Sequence, residues 1–287
     1  MKSRFSLVAL VCAAPLLLGS CLGVRPQLID EDLTIDSAVV WAGEILVRGV
    51  VTVKKSGSLT LLPGTRIRFE RFDRDGDGIG DGEIMVEGEL TAVGTEAAPI
   101  VLTSAEPNPQ PADWKYLYLD FARKGEVAHL LSEYAYSGIQ IHFCAARVVD
   151  SVFRYNVDGV RFSTVKLELS GNRIYENTHG LRYEERRGTA QIHHNDIRDN
   201  EIGIFVVTRA EDRTVIEQNN IVGSRRYAVK MGLNQHADIS LPRNWWGTTD
   251  PALIAASIFD RRSDRALGRV HTPEPLGAEV ALHPEGR

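Results

Sequence analysis

The sequence predicts an all-β fold, a single-stranded right-handed parallel β-helix. Its coils run to about 22 residues, and a short C-terminal helix caps it. Three observations predict this. An apolar anchor recurs at Phe153, Ile174, Ile197, Ile221 and Trp246, with Ser151, Asn172, Asn195, Asn219 and Asn244 two places before. Asn156, Asn177, Asn200 and Ser224 stand three places after the anchor, and Gly159, Gly180 and Gly203 six after. Each repeat then closes in a short alternating stretch ("GIQIHF", "GVRFS", "GLRYE", "GIFVV", "YAVKM"), which is the period of a half-buried strand. Finally, nothing between residues 33 and 247 reads as a long helix. A strand-only repeat cannot bury its own apolar side, so successive coils must stack and pair in parallel.

The elements follow in chain order. Lys2 and Arg4 precede the apolar run "FSLVALVCAAPLLL", too short for a stable membrane span. Residues 1–20 therefore read as a signal peptide. "LGSC" at Leu18 to Cys21 resembles the lipobox of bacterial lipoproteins. The resemblance implies that Cys21 carries lipid, with palmitate among its acyl chains, and begins the mature chain. Leu22 after it implies the outer membrane, on its periplasmic or cell-surface face. Residues 21–32 form a lipidated linker and 33–249 the β-helix. "EPNPQPAD" from Glu106 to Asp113 is a loop thrown off one coil. Residues 250–287 form the cap and tail: Asp250 is an N-cap, Pro251 the first helical residue, and Leu253, Ile254, Ile258 and Phe259 an apolar stripe. The tail after Gly268 either lies along the barrel or frays. The rod is at most about ten coils long, roughly 45 Å at the strand spacing, and is expected to be monomeric.

Three stretches carry a wider resemblance. "WAGEILVRGVVTVKKSGSLTLLPGTRIRF", "GNRIYEN" with "NNIVGS", and "PRNWWGTTDPALIAASIFDRRSDRALGRV" resemble the opening, repeating and closing segments of bacterial right-handed β-helix repeat proteins. That superfamily includes carbohydrate-binding modules, sugar hydrolases, polysaccharide lyases and a periplasmic protein of copper-enzyme maturation. The resemblance implies the fold far more firmly than an activity.

Formal net charge is −5, which gives no pull toward nucleic acid. Cys12 leaves with the signal and Cys21 takes lipid, so Cys144 is a lone thiol, read as a small buried hydrophobe. "DRDGDGIGDGE" places Asp73, Asp75, Asp77, Asp81 and Glu83 on one glycine-rich loop. Hard oxygen donors there suit a structural Ca²⁺. The loop resembles an EF-hand loop, except that Ile84 holds the twelfth position and no flanking helices are readable.

The outward side of the repeating strand carries Gln140, Arg161, Arg182, Phe205 and Lys230, one per coil, with His142, Ser163, Glu184 and Val207 beside them. A basic row with an aromatic suits an acidic polysaccharide. The bland alternative is a solvated face with Arg182 paired to Glu184 or Glu185. No paired carboxylates of a glycosidase stand in that row. His193 and His194 adjoin in a strand and should point to opposite faces. Trp245 and Trp246 read as a surface aromatic and a core plug. The expected function is non-enzymatic: an envelope-anchored binding or scaffold module for an acidic polysaccharide or an envelope protein. The alternatives are a polysaccharide lyase or hydrolase, and an accessory protein of periplasmic metalloenzyme maturation.

Overall fold

The structure is a computed structural model describing residues 27–283. The expected signal peptide and the expected lipidation site, Cys21, lie outside the described residues. The chain winds through three parallel sheets of nine, ten and eight strands. Each coil contributes one strand to each sheet in turn, so strand n pairs with strand n+3 until the last coils before the cap. The coils begin at Gln27–Ile29, within the segment the sequence assigned to a linker. No helix among the described residues is long and apolar enough to cross a membrane.

The repeat anchors fill the core. Phe153, Ile174, Ile197 and Ile221 are fully or almost fully buried, and Trp246 plugs the stack beneath the cap. Phe69 stacks on Trp114 with ring centroids 4.3 Å apart, and Phe162 on Tyr183 at 5.1 Å. The second stack joins register partners, which a parallel helix places one above the other; the first joins residues of two different sheets.

Both asparagine columns are ladders. Asn172 donates its backbone N–H and its Nδ2 to Asn195 Oδ1 at 3.0 and 2.9 Å. Asn195 makes the same pair of bonds to Asn219 at 3.0 and 2.9 Å. Asn156, Asn177 and Asn200 repeat the arrangement at the next corner. Every ladder amide is buried, so these bonds satisfy groups that water cannot reach.

The glycines at 159, 180 and 203 serve a different purpose from the backbone freedom expected of them. None is left-handed; a Cβ on Gly159 would stand 2.7 Å from the carbonyl of Gly180 on the next coil. Left-handed conformations fall instead on the residue before each ladder side chain: Asp150, Gly171, His194, Gln218 and Arg243.

The cap is the helix Pro251–Ala256, with Asp250 accepting from Ala252 N at 2.8 Å. Its Ile254 and the following Ile258 close the core. The tail does not fray within the described residues. Val270–His271 pairs with Ile239–Ser240, Leu276 N donates to Asn244 O at 3.0 Å, and Val280 bonds the side chain of Asn220. It thus runs back along the barrel, toward the earlier coils.

Candidate functional site

The ten-stranded sheet sets three outward rows side by side. In the middle row Tyr118, Gln140, Arg161, Arg182, Phe205, Lys230 and Phe259 are successive register partners. This is the row the alternation predicts. The second row runs Asp120, His142, Ser163, Glu184 and then Thr208, because a bulge displaces Val207 from register. The third row, Glu83, Tyr116, Ser137, Asp158, His179, Ile202 and Tyr227, lies at the strand entrance. Sequence reasoning missed it, although several of its members immediately precede a repeat glycine.

Asp158 joins the rows. It is fully buried and meets His179 Nδ1 at 2.7 Å and Arg182 Nη1 at 3.3 Å. Arg182 therefore pairs across to the neighbouring coil, not with Glu184 or Glu185. Glu184 is held by Arg186 at 2.6 Å, and Glu185 accepts backbone N–H groups of Glu211 and Thr214. Phe205 is covered by the His179 ring at 5.0 Å, with Arg182 at 5.7 Å and Lys230 at 5.5 Å from its centroid. The electron-rich ring face attracts each cation, which offsets part of their mutual repulsion.

Toward the other end, Tyr118 Oη lies 3.1 Å from His142 Nδ1. Burial, with Arg161 and Arg186 nearby, pulls the His142 pKa down to about 4, so the ring is neutral. Burial pushes the Glu83 pKa above the usual carboxylate range, against the pull of Lys115. Glu83 Oε2, Asp120 Oδ1, Ser137 Oγ, Gln140 Oε1 and Arg182 Nε are buried atoms with no hydrogen-bond partner among the described residues. Satisfied polar atoms are the norm in interiors, and five of the unpartnered ones lie on this face.

The acidic loop gathers Asp73, Asp75 and Asp81, whose oxygens approach within 4.8 Å of one another. Asp77 and Glu83 do not join them. Asp77 accepts from Ile79 N at 2.8 Å, and Glu83 turns into the third row. Asp73 accepts from Gly76 N at 2.7 Å and Gly78 N at 2.9 Å. Asp81 is bonded by Lys115 Nζ and by Arg74 N. The Lys115 bond holds the Asp81 carboxyl below its usual range.

Cys144 is half-buried against the core, and burial pushes its thiol up to about 11. His193 and His194 do not diverge. His194 is left-handed at φ 55°, which breaks the strand alternation, and the two Nδ1 atoms lie 2.8 Å apart.

The chain matches the family described as "Periplasmic copper-binding protein (NosD)" over residues 94–244, more than half its length. It belongs to the NosD family. No curated protein and no solved structure matches it. The expected superfamily is confirmed, and the NosD family is described as periplasmic.

Calcium, expected as the cofactor, is overturned. The NosD family is described as copper-binding, and the loop's charge is already met from within, by Lys115 on Asp81 and by backbone N–H groups on Asp73. Those carboxylates do not fit copper either, since copper favours imidazole and sulfur donors over hard oxygen. The His193–His194 pair does fit by donor chemistry.

Proposed function

We propose that this chain is a non-enzymatic accessory protein of periplasmic metalloenzyme maturation, holding copper while the ten-stranded face docks a protein partner. One observation carries the reading: the NosD match spans residues 94–244, the same coils that build the face from Tyr118 to Lys230 and carry the histidine pair. The unpartnered atoms of Gln140, Asp120 and Ser137, beside the buried Asp158–Arg182 pair, suit a partner rich in polar groups. A lipid on Cys21 would keep the rod at the outer membrane. The direct test titrates the full chain, purified in detergent, with copper against a chromogenic chelator. One copper per chain is expected. Retention of all copper by the chelator would overturn the reading.

A second reading, an acidic polysaccharide on the same face, is favoured by Arg161, which makes no ion pair among the described residues, and by Lys230 over Phe205. Its test is co-elution with an acidic polymer in gel filtration, lost in Arg161→Ala with Lys230→Ala. Breakdown of the polymer to small fragments would instead indicate a lyase or hydrolase.

A further inference from the structure

We propose that the corner between the ten- and eight-stranded sheets carries an anion site for a sugar phosphate, held by Arg187 and Arg209 beside the ring of Phe143; the site is independent of the copper reading. It arises from turn length. After the strands Ala135–His142 and Asp158–Ser163 the chain rounds this corner over residues 143–144 and 164–165. After His179–Glu184 and Ile202–Thr208 it takes the longer paths 185–188 and 209–213. Insertions in a solenoid gather as loops on one side, often the binding side. Here the change in turn length leaves a cleft of about 540 Å³ lined by Phe143, Thr164, Arg186, Arg187, Arg209 and Arg213, from all four turns. Clefts of this size accommodate small ligands.

Both arginine-bearing turns are fixed in place. Gly188 N donates to Glu185 O at 2.7 Å, and Arg186 and Arg187 between them are both left-handed, at φ 41° and 82°. Asn and Gly are the usual residues of such a turn. Arginine there carries a conformational cost, and strain of this kind collects at binding sites. The second turn is pinned from its buried side. Glu185 accepts the N–H groups of Glu211 and Thr214, and the buried Gln235 side chain closes two bonds on Ala210, each 2.9 Å. The Glu185 carboxylate is thus occupied by backbone groups. Of the four guanidiniums, Arg186 is met by Glu184 at 2.6 Å and Arg213 by Glu211 at 3.6 Å. Arg187 and Arg209 have no ion pair or side-chain hydrogen bond among the described residues. Two unanswered positive charges in one cleft call for a dianion. A phosphate monoester carries about −1.5 to −2 at neutral pH and takes guanidinium forks in bidentate fashion. Phe143 gives the cleft an apolar wall, its ring 41% exposed and stacked on Phe121 of the preceding coil at 4.6 Å. The electron-rich face of an aromatic attracts the C–H groups of a sugar ring.

The experiment titrates the full chain in detergent with glucose 6-phosphate, glucose, inorganic phosphate and succinate by isothermal calorimetry. One equivalent of glucose 6-phosphate should bind with a Kd below about 1 mM, more tightly than inorganic phosphate or succinate, and glucose should not bind. Arg187→Asn with Arg209→Asn should weaken binding at least about tenfold, since two charge-assisted bonds are lost. Asn tolerates the left-handed backbone at both places, and circular dichroism confirms the fold. Phe143→Ala should weaken glucose 6-phosphate while leaving inorganic phosphate unchanged. Displacement by a detergent-dispersed phosphorylated glycolipid would show a lipid-borne source, and no displacement a soluble one; the site stands in both cases. No binding of glucose 6-phosphate, or binding that the arginine variant leaves unchanged, would overturn the site. Equal binding of succinate would overturn the choice of phosphate.

Discussion

Removing the Asp158 carboxylate tests whether the face is built around it. Asp158 is fully buried, while the side chains of Arg182 and His179 keep 23% and 16% of their exposure. Arg182 has no other ion pair among the described residues, and its Nε is already unpartnered. Asp158→Ala therefore strands a largely desolvated guanidinium, a loss of about 3–5 kcal/mol for breaking a buried pair from one side. Arg182→Met is costly in the opposite sense, because it leaves the buried carboxylate with His179 as its one remaining partner among the described side chains. The double variant removes both charges, leaving the smaller loss of buried volume at residue 158, so it should lie within about 1–2 kcal/mol of the wild type. Urea unfolding followed by circular dichroism reads all four corners of the cycle. A single-variant loss below about 0.5 kcal/mol, the range of ordinary surface changes, would refute the reasoning. So would simple additivity in the double variant.

Three further outcomes are expected. Asn195→Ala removes an amide that accepts twice from Asn172 and donates to Leu169 O, His193 O and Asn219 Oδ1; with one or two groups left unsatisfied, it should lower stability by about 2–5 kcal/mol in the same assay, and a neutral effect would sink the ladder argument. His142 is held near pKa 4 in the folded chain against an ordinary 6.5, so the unfolded chain takes the proton first. Its stabilising contribution is complete above pH 6.5 and drains away as pH falls toward 4; His142→Gln should flatten that part of the stability profile, and an unchanged profile would contradict it. The Cys144 thiol, raised from 9.0 to about 11, should react with a disulfide reagent at pH 8 on the order of a hundredfold more slowly than after unfolding, and equal rates would contradict its placement.

Much of this was legible because a solenoid writes its geometry linearly. The spacing of Asn172, Asn195, Asn219 and Asn244 gave the corner ladder, and the alternation after each glycine gave the row from Gln140 to Lys230 in correct register. Two of the failures share a cause: alternation stops at corners. Asp158 and His179 sit one residue before the strand's regular part, so counting by twos left them out. His193 and His194 were assigned opposite faces by the same counting, which a left-handed φ at residue 194 cancels. The acidic loop misled for another reason. Its carboxylate spacing is that of a calcium loop, but the partner of Asp81 is Lys115, 34 residues away and invisible to any local motif. The tail's path was open in sequence because Pro-rich segments carry no periodicity; its contacts are with Asn244, Asn220 and Asp150 on separate coils.

The most direct measurement of the central claim is the copper content of the cell's periplasmic copper enzyme, purified from strains with and without this chain. The account predicts that the enzyme is still exported and folded in the deleted strain but is poor in copper, and that restoring the chain refills it. A full complement of copper without the chain would contradict the accessory role.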